Sequence, residues 1–169
     1  MSSPIKVIFL DVDGVLNNVA DIRRGVELDP EKLQLFADLV RATGAKVVLS
    51  SSWRLSTTSF DEVEFILLGY GVTVADCTPP LVAVGMYGGQ LRTRGDEIQR
   101  WLDLNQVERF AILDDVDDGL GGFGPNFFQT SFETGLTLSI CNAIMHHLNK
   151  ETITSEDVGD LDGLLKGAL

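Results

Sequence analysis

Positive charge is scarce in this chain: 13 lysines and arginines stand against 25 aspartates and glutamates in 169 residues, a net charge of −12. So acidic a surface has few cations with which to release counterions from a polyphosphate. No extended nucleic-acid-binding surface is therefore expected, while contact with a single phosphate or a strand end stays open. Cysteine is scarce too. Cys77 and Cys141 are isolated, with no CxxC spacing for zinc, so a reducing compartment is expected, with both thiols acting as small buried hydrophobes. No apolar run approaches the roughly 20 residues a bilayer requires. The opening MSSPIKVIFLDV lacks a basic region followed by a long apolar segment and a small-residue cleavage site. A cytoplasmic protein without membrane contact is expected. No internal repeat is visible. At 44% apolar and 22% charged residues the composition is that of an ordinary globular protein. The length suits one well-cored domain, expected over residues 1–150, with an acidic tail over 151–169 that forms no separate domain.

Apolar runs and helical periodicities alternate along the chain. IKVIFL (5–10), AKVVL (45–49), residues 72–75, FAIL (110–113) and FFQT (127–130) read as strands. The first is continuously apolar, as expected of a strand buried on both faces of a parallel sheet. Asp29-Pro30-Glu31 supplies an N-cap, a first-turn proline and an acid for a helix ending at Gly44. Further helices are expected from a capping box at Ser59–Glu62 to about Gly69, over 96–104, and over 136–148, with glycine-rich loops at 77–93 and 117–126. Alternation at βαβ spacing predicts an α/β fold, a doubly wound, Rossmann-like three-layer sandwich with a mainly parallel sheet.

The polar residues gather where such a sheet binds ligands, beyond the carboxyl ends of its strands. The first strand ends in Asp11 and Asp13, the second in Ser50 and Ser51, the fourth in Asp114 and Asp115. Gly14 comes too early for a calcium-loop pattern. Four acids at one edge repel one another and raise their own pKa values unless a cation sits among them. Oxygen-only ligands select a hard cation such as Mg2+ over zinc.

FLDVDGVLN, VLSSSWR, a basic residue at a later helix start and ILDD, in this order between Val7 and Gly119, resemble the four motifs of the haloacid dehalogenase (HAD) superfamily. Together with DEIQRWL and GLT, they are similar to the small HAD domains of Swiss-army-knife RNA repair proteins. The resemblance implies a Mg2+-dependent phosphomonoester hydrolase with Asp11 as nucleophile, forming an aspartyl-phosphate, and Asp13 as general acid and base. It implies a metal held by Asp11, the backbone carbonyl of Asp13 and Asp114, with Asp115 and Asp118 as the additional acids of the fourth motif. Ser50 is the best match for the phosphate-binding hydroxyl, Ser51 can share that task, and Gly14 lets backbone amides approach the phosphate. For the third motif, where the family prefers lysine, Arg94 is chosen over Arg92, since a guanidinium also clamps phosphate. The gaps 17–46 and 55–92 leave no room for a full lid, so a minimal cap or none is expected. The substrate is phosphorylated, with a nucleic-acid terminal phosphate favoured by the resemblance; oligomeric state is not legible.

Competing readings exist at several positions. Trp53 and Arg54 either meet substrate or serve as packing tryptophan and surface arginine. Asn17-Asn18 either faces substrate or closes a turn, and His146 and His147 belong to ordinary helix surface and core. A metal-binding regulatory or interaction module with little turnover is the alternative from another functional class. C–halogen cleavage is disfavoured, because it offers Asp13 no leaving oxygen to protonate.

Overall fold

The computed structural model of the chain describes residues 5–81 and 92–150. Strands β1 (Lys6–Leu10), β2 (Lys46–Leu49), β3 (Val74–Cys77), β4 (Arg109–Asp114) and β5 (Phe127–Gln129) form one all-parallel sheet in the order β3-β2-β1-β4-β5. The chain builds β1, β2 and β3 outward in one direction, then returns to lay β4 and β5 on the other side of β1. This reversal opens a crevice between the carboxyl ends of β1 and β4, the place where doubly wound sheets bind ligands.

Side-chain alternation along β1 feeds two cores. Ile8 and Leu10 face one layer, with Leu33 and Phe36 of α2 (Pro30–Thr43), Val63 and Leu67 of α3 (Thr57–Gly69), and Ile144 and Leu148 of α5 (Leu138–Asn149). Val7 and Phe9 face the other, with Ile98 and Trp101 of α4 (Arg94–Leu104). There Phe9 meets the Trp101 ring edge-on, with centroids 5.3 Å apart.

Most expected elements are present, with shifted ends. Asp29 caps α2 with Pro30 at its first position, and Gly44 closes it in the left-handed conformation. The helix expected to begin at the Ser59–Glu62 box instead starts two residues earlier, because Ser56 accepts the Ser59 N–H and so acts as the cap. Thr93 and Asp96 form a reciprocal capping box, which draws Arg94 into the first turn of α4. Residues 121–126, expected as loop, contain a 3-10 turn. A short helix not foreseen from the sequence, α1 (Val19–Arg23), is nucleated by a second reciprocal box between Asn18 and Asp21. Asp21 is buried, and its carboxylate holds both Arg24, at 2.7 Å, and the buried Lys32 of α2, at 3.4 Å. This ion pairing fastens α1 to the body of the domain. Most of the expected 77–93 loop and the 151–169 tail lie outside the described residues. Among the described residues, no helix is long and apolar enough to cross a membrane.

Candidate functional site

The backbone ladder continues past the strand ends and fixes the crevice. Asp11 N–H donates to the Leu113 carbonyl at 2.9 Å, Ser50 N–H to Leu10 at 2.8 Å, and Thr130 N–H to Asp114 at 2.9 Å. Three strands thereby deliver their terminal side chains to one place. Asp11, Asp114 and Asp115 each contribute a carboxylate oxygen to a group whose members all lie within 4.8 Å of one another. Such crowding of like charge is unfavourable, and the acids respond. Burial pushes Asp11 up to about 6, against the Ser51 hydroxyl and the Arg94 charge, which pull it down. Burial and then the neighbouring Asp11 push Asp114 up to about 7. Asp115 is also raised, chiefly by burial. The nearby cation is Arg94, whose Nε lies 3.9 Å from Asp114 Oδ2. An oxygen-only triad with raised proton affinities, in which Asp11 and Asp114 are buried and Asp115 is half-buried, fits a hard divalent cation, which would take the place of the bound protons.

Asp13 is not one of that triad, although its charge helps to raise Asp115. Its Oδ1 accepts from Asn17 Nδ2 at 2.9 Å and its Oδ2 from Trp53 Nε1 at 2.9 Å. Asn17 is 1% exposed, and it also donates to the Glu27 carbonyl and accepts the Gly14 N–H. The Asn17-Asn18 pair is thus explained without a substrate: Asn17 braces the turn after the acids, and Asn18 caps α1. Trp53 is the contact of Asp13 that local sequence leaves ambiguous, since no spacing rule connects it to an acid 40 residues away.

Gly14 is required on two counts. Its φ of +73° favours glycine, and a Cβ there would lie 2.4 Å from the Asp115 carboxyl group. Thr130 Oγ1 donates to its carbonyl at 2.6 Å, tying the turn to the end of β5.

The two serines divide. The Ser51 hydroxyl sits beside Asp11, where it lowers the proton affinity of that acid, and accepts the Trp53 backbone N–H, whereas the Ser50 hydroxyl is bonded to Thr78 at 3.3 Å. The hydroxyl facing the first acid is therefore that of Ser51. Arg94 reaches the triad, while Arg92 is exposed at the edge of a neighbouring groove with Arg54. Arg54 is turned inward to the Thr78 and Ser51 carbonyls and to Glu97, at 2.6 Å. Asp118 is not in the triad; its carboxylate accepts the Arg94 N–H at 2.8 Å, which seats the start of α4. His147 packs edge-on against Phe128 and shares its Nε2 between the Phe110 carbonyl and Asn126, while His146 is exposed.

No curated protein and no solved structure matches this chain. A family model does, over residues 7–140, a span that contains the acids, serines and Arg94 of the site and, among the described residues, every strand except for the first residue of β1. The chain belongs to the family described as the HAD domain in Swiss Army Knife RNA repair proteins.

Proposed function

We propose that the chain is a Mg2+-dependent phosphomonoester hydrolase that works through an aspartyl-phosphate on Asp11. The observation that carries this reading is the convergence of Asp11, Asp114 and Asp115 beside Arg94, with Asp13 held separately by Asn17 and Trp53. A phosphate monoester is an anion, and two unit charges about 4 Å apart repel by roughly 4 kcal/mol at an effective dielectric near 20. Asp11 cannot approach a dianion against that repulsion alone. Asp11, Asp114 and Asp115, with the Asp13 carbonyl, would hold a Mg2+ ion, which would supply the cancelling positive charge. Arg94 adds a second positive group on the same side. The Asp11 carboxylate attacks phosphorus as the bond to the leaving oxygen breaks. Asp13 gives that oxygen a proton, then takes one from the water that hydrolyses the aspartyl-phosphate, regenerating both acids. Ser51, with Ser50 behind it, offers a hydroxyl to a phosphoryl oxygen, and the turn at Gly14 offers amides. A terminal phosphate on a nucleic acid is the favoured substrate, touched locally because the chain is acidic.

Turnover of p-nitrophenyl phosphate, with Mg2+ and with chelator, by wild type and Asp11→Asn tests the reading. Activity confined to wild type with Mg2+ is expected. Turnover that persists in the variant, or ignores chelation, overturns it; magnesium binding with no turnover across a broad phosphate panel would make the chain a binding module.

A further inference from the structure

A pocket of about 600 Å³ opens beside Asp13, walled by Trp53, Ile22, Val26 and Phe132, with the exposed Glu27 also lining it. None of Asp11, Asp114, Asp115 or Arg94 lines it, so it lies on the proton-donor side of the site. Ile22 and Phe132 leave 45% and 40% of their surfaces in solvent. Neighbouring exposed apolar side chains in a concavity next to a reactive group are the usual mark of a ligand surface. Among the described residues, no lysine, arginine or histidine lines this pocket, and its charged groups are Asp13 and Glu27. An anion entering it would be repelled and uncompensated, whereas a flat neutral ring would cover the indole, Ile22 and Phe132. α1, which carries Ile22, is anchored through Asp21 to Lys32, so this wall is built in place. Trp53 belongs to both structures, forming the pocket with its ring and donating from Nε1 to Asp13 Oδ2.

We propose that this pocket is the leaving-group subsite, that it takes an uncharged planar ring carried by the esterified alcohol, and that Trp53 is a positioning residue joining the ring's seat to Asp13. The proposal rests on the phosphatase reading for the identity of the leaving group. In chemical terms, the substrate class is a phosphomonoester whose alcohol bears a heteroaromatic ring, such as a nucleoside. The ring could come from a free nucleotide or from the end of a strand.

The test compares a nucleoside 5′-monophosphate with ribose 5-phosphate, which presents the same primary phosphate on the same sugar without the ring. Ring stacking predicts a kcat/KM advantage of roughly 10–100-fold for the nucleotide. Ile22→Asp and Phe132→Ser are expected to shrink that ratio towards unity. A 5′-phosphorylated dinucleotide separates the two sources of the ring. The cation-free lining predicts no gain over the mononucleotide, and a gain of about tenfold, the worth of one compensated charge, would overturn the uncharged-ligand claim. Trp53→Phe keeps a ring in the wall and deletes the N–H, so it should reduce kcat on the alkyl phosphate by a larger factor than on p-nitrophenyl phosphate, whose leaving group needs less protonation. Equal losses on both substrates would reduce Trp53 to packing. Equal kcat/KM for nucleotide and ribose phosphate in an active enzyme overturns the subsite while leaving the phosphatase reading intact. If no phosphate ester turns over, saturable quenching of tryptophan fluorescence by the free nucleoside, abolished in Ile22→Asp, still supports the pocket; no quenching overturns it.

Discussion

Asp11 and Asp13 leave the same strand one residue apart, yet they inhabit opposite environments. On the β4 side, Asp11 is packed with Asp114 and Asp115, and burial holds the proton affinities of this group high. On the α1 side, Asp13 is shared between two N–H donors and opens onto an apolar pocket. The difference teaches that charge count alone does not assign a role to a carboxylate. The β4 side is organised to receive positive charge, whereas the α1 side is organised to orient one carboxylate towards whatever fills the pocket.

The sharpest way to break this contrast is to neutralise one side at a time. Asp11→Asn should lower kcat on p-nitrophenyl phosphate by about a thousandfold or more, as expected when a covalent nucleophile is lost, and the rate with saturating Mg2+ measures it. Gly14→Ala attacks the joint between the two sides. With a left-handed φ and a Cβ 2.4 Å from Asp115, it should cost about 2–4 kcal/mol of stability, read from denaturant midpoints.

Proton linkage offers a subtler test. Burial pushes Asp11 up to about 6 and Asp114 up to about 7 in the folded chain, above the carboxylate values of the unfolded one. Without metal, the native state therefore holds protons that the unfolded state releases. Their stabilising contribution is full below about pH 4 and is lost as pH rises through 6 to 7, on the order of a few kcal/mol for the coupled pair. Thermal melts across this range should show Tm falling with rising pH. Mg2+ at about 100 times its Kd should then restore roughly 2.7 kcal/mol above pH 7, a rise of about 5–10 °C. A smaller effect separates the serines. Ser51→Ala should slow kcat/KM by about tenfold through its hydroxyl at Asp11, whereas Ser50→Ala should mainly cost about 1 kcal/mol of stability through Thr78, a split visible by running kinetics and melts on both variants.

Legibility from sequence followed the range of the interactions. The Asp29-Pro30 cap, the apolar β1 run and the acids ending β1 and β4 carry local signals, and the alternation of elements was enough to expect a parallel doubly wound sheet. Ser56 is not distinguishable as the cap from sequence alone, because Ser59–Glu62 offers an equally good local pattern. α1 has five residues, too few for a helical period to show. The contacts that distinguish Asp13 were out of reach for a different reason. Trp53 approaches it only after β1 and β2 pair, and a tryptophan beside an arginine reads equally well as packing; Asn17 reaches it within the turn after β1, but an Asn-Asn pair reads equally well as a turn that faces substrate. The pocket is likewise a product of tertiary placement, assembled from α1, the turn after β2 and the turn after β5.

The separation of the two sides is tested most directly by the Mg2+ affinity of Asp114→Asn and Asp13→Asn, measured calorimetrically against wild type. Loss of binding is predicted for Asp114→Asn, with near wild-type binding in Asp13→Asn, which keeps its backbone carbonyl and loses only the carboxylate turned towards Asn17 and Trp53. Wild-type affinity in Asp114→Asn, or loss of binding in Asp13→Asn, would contradict the account.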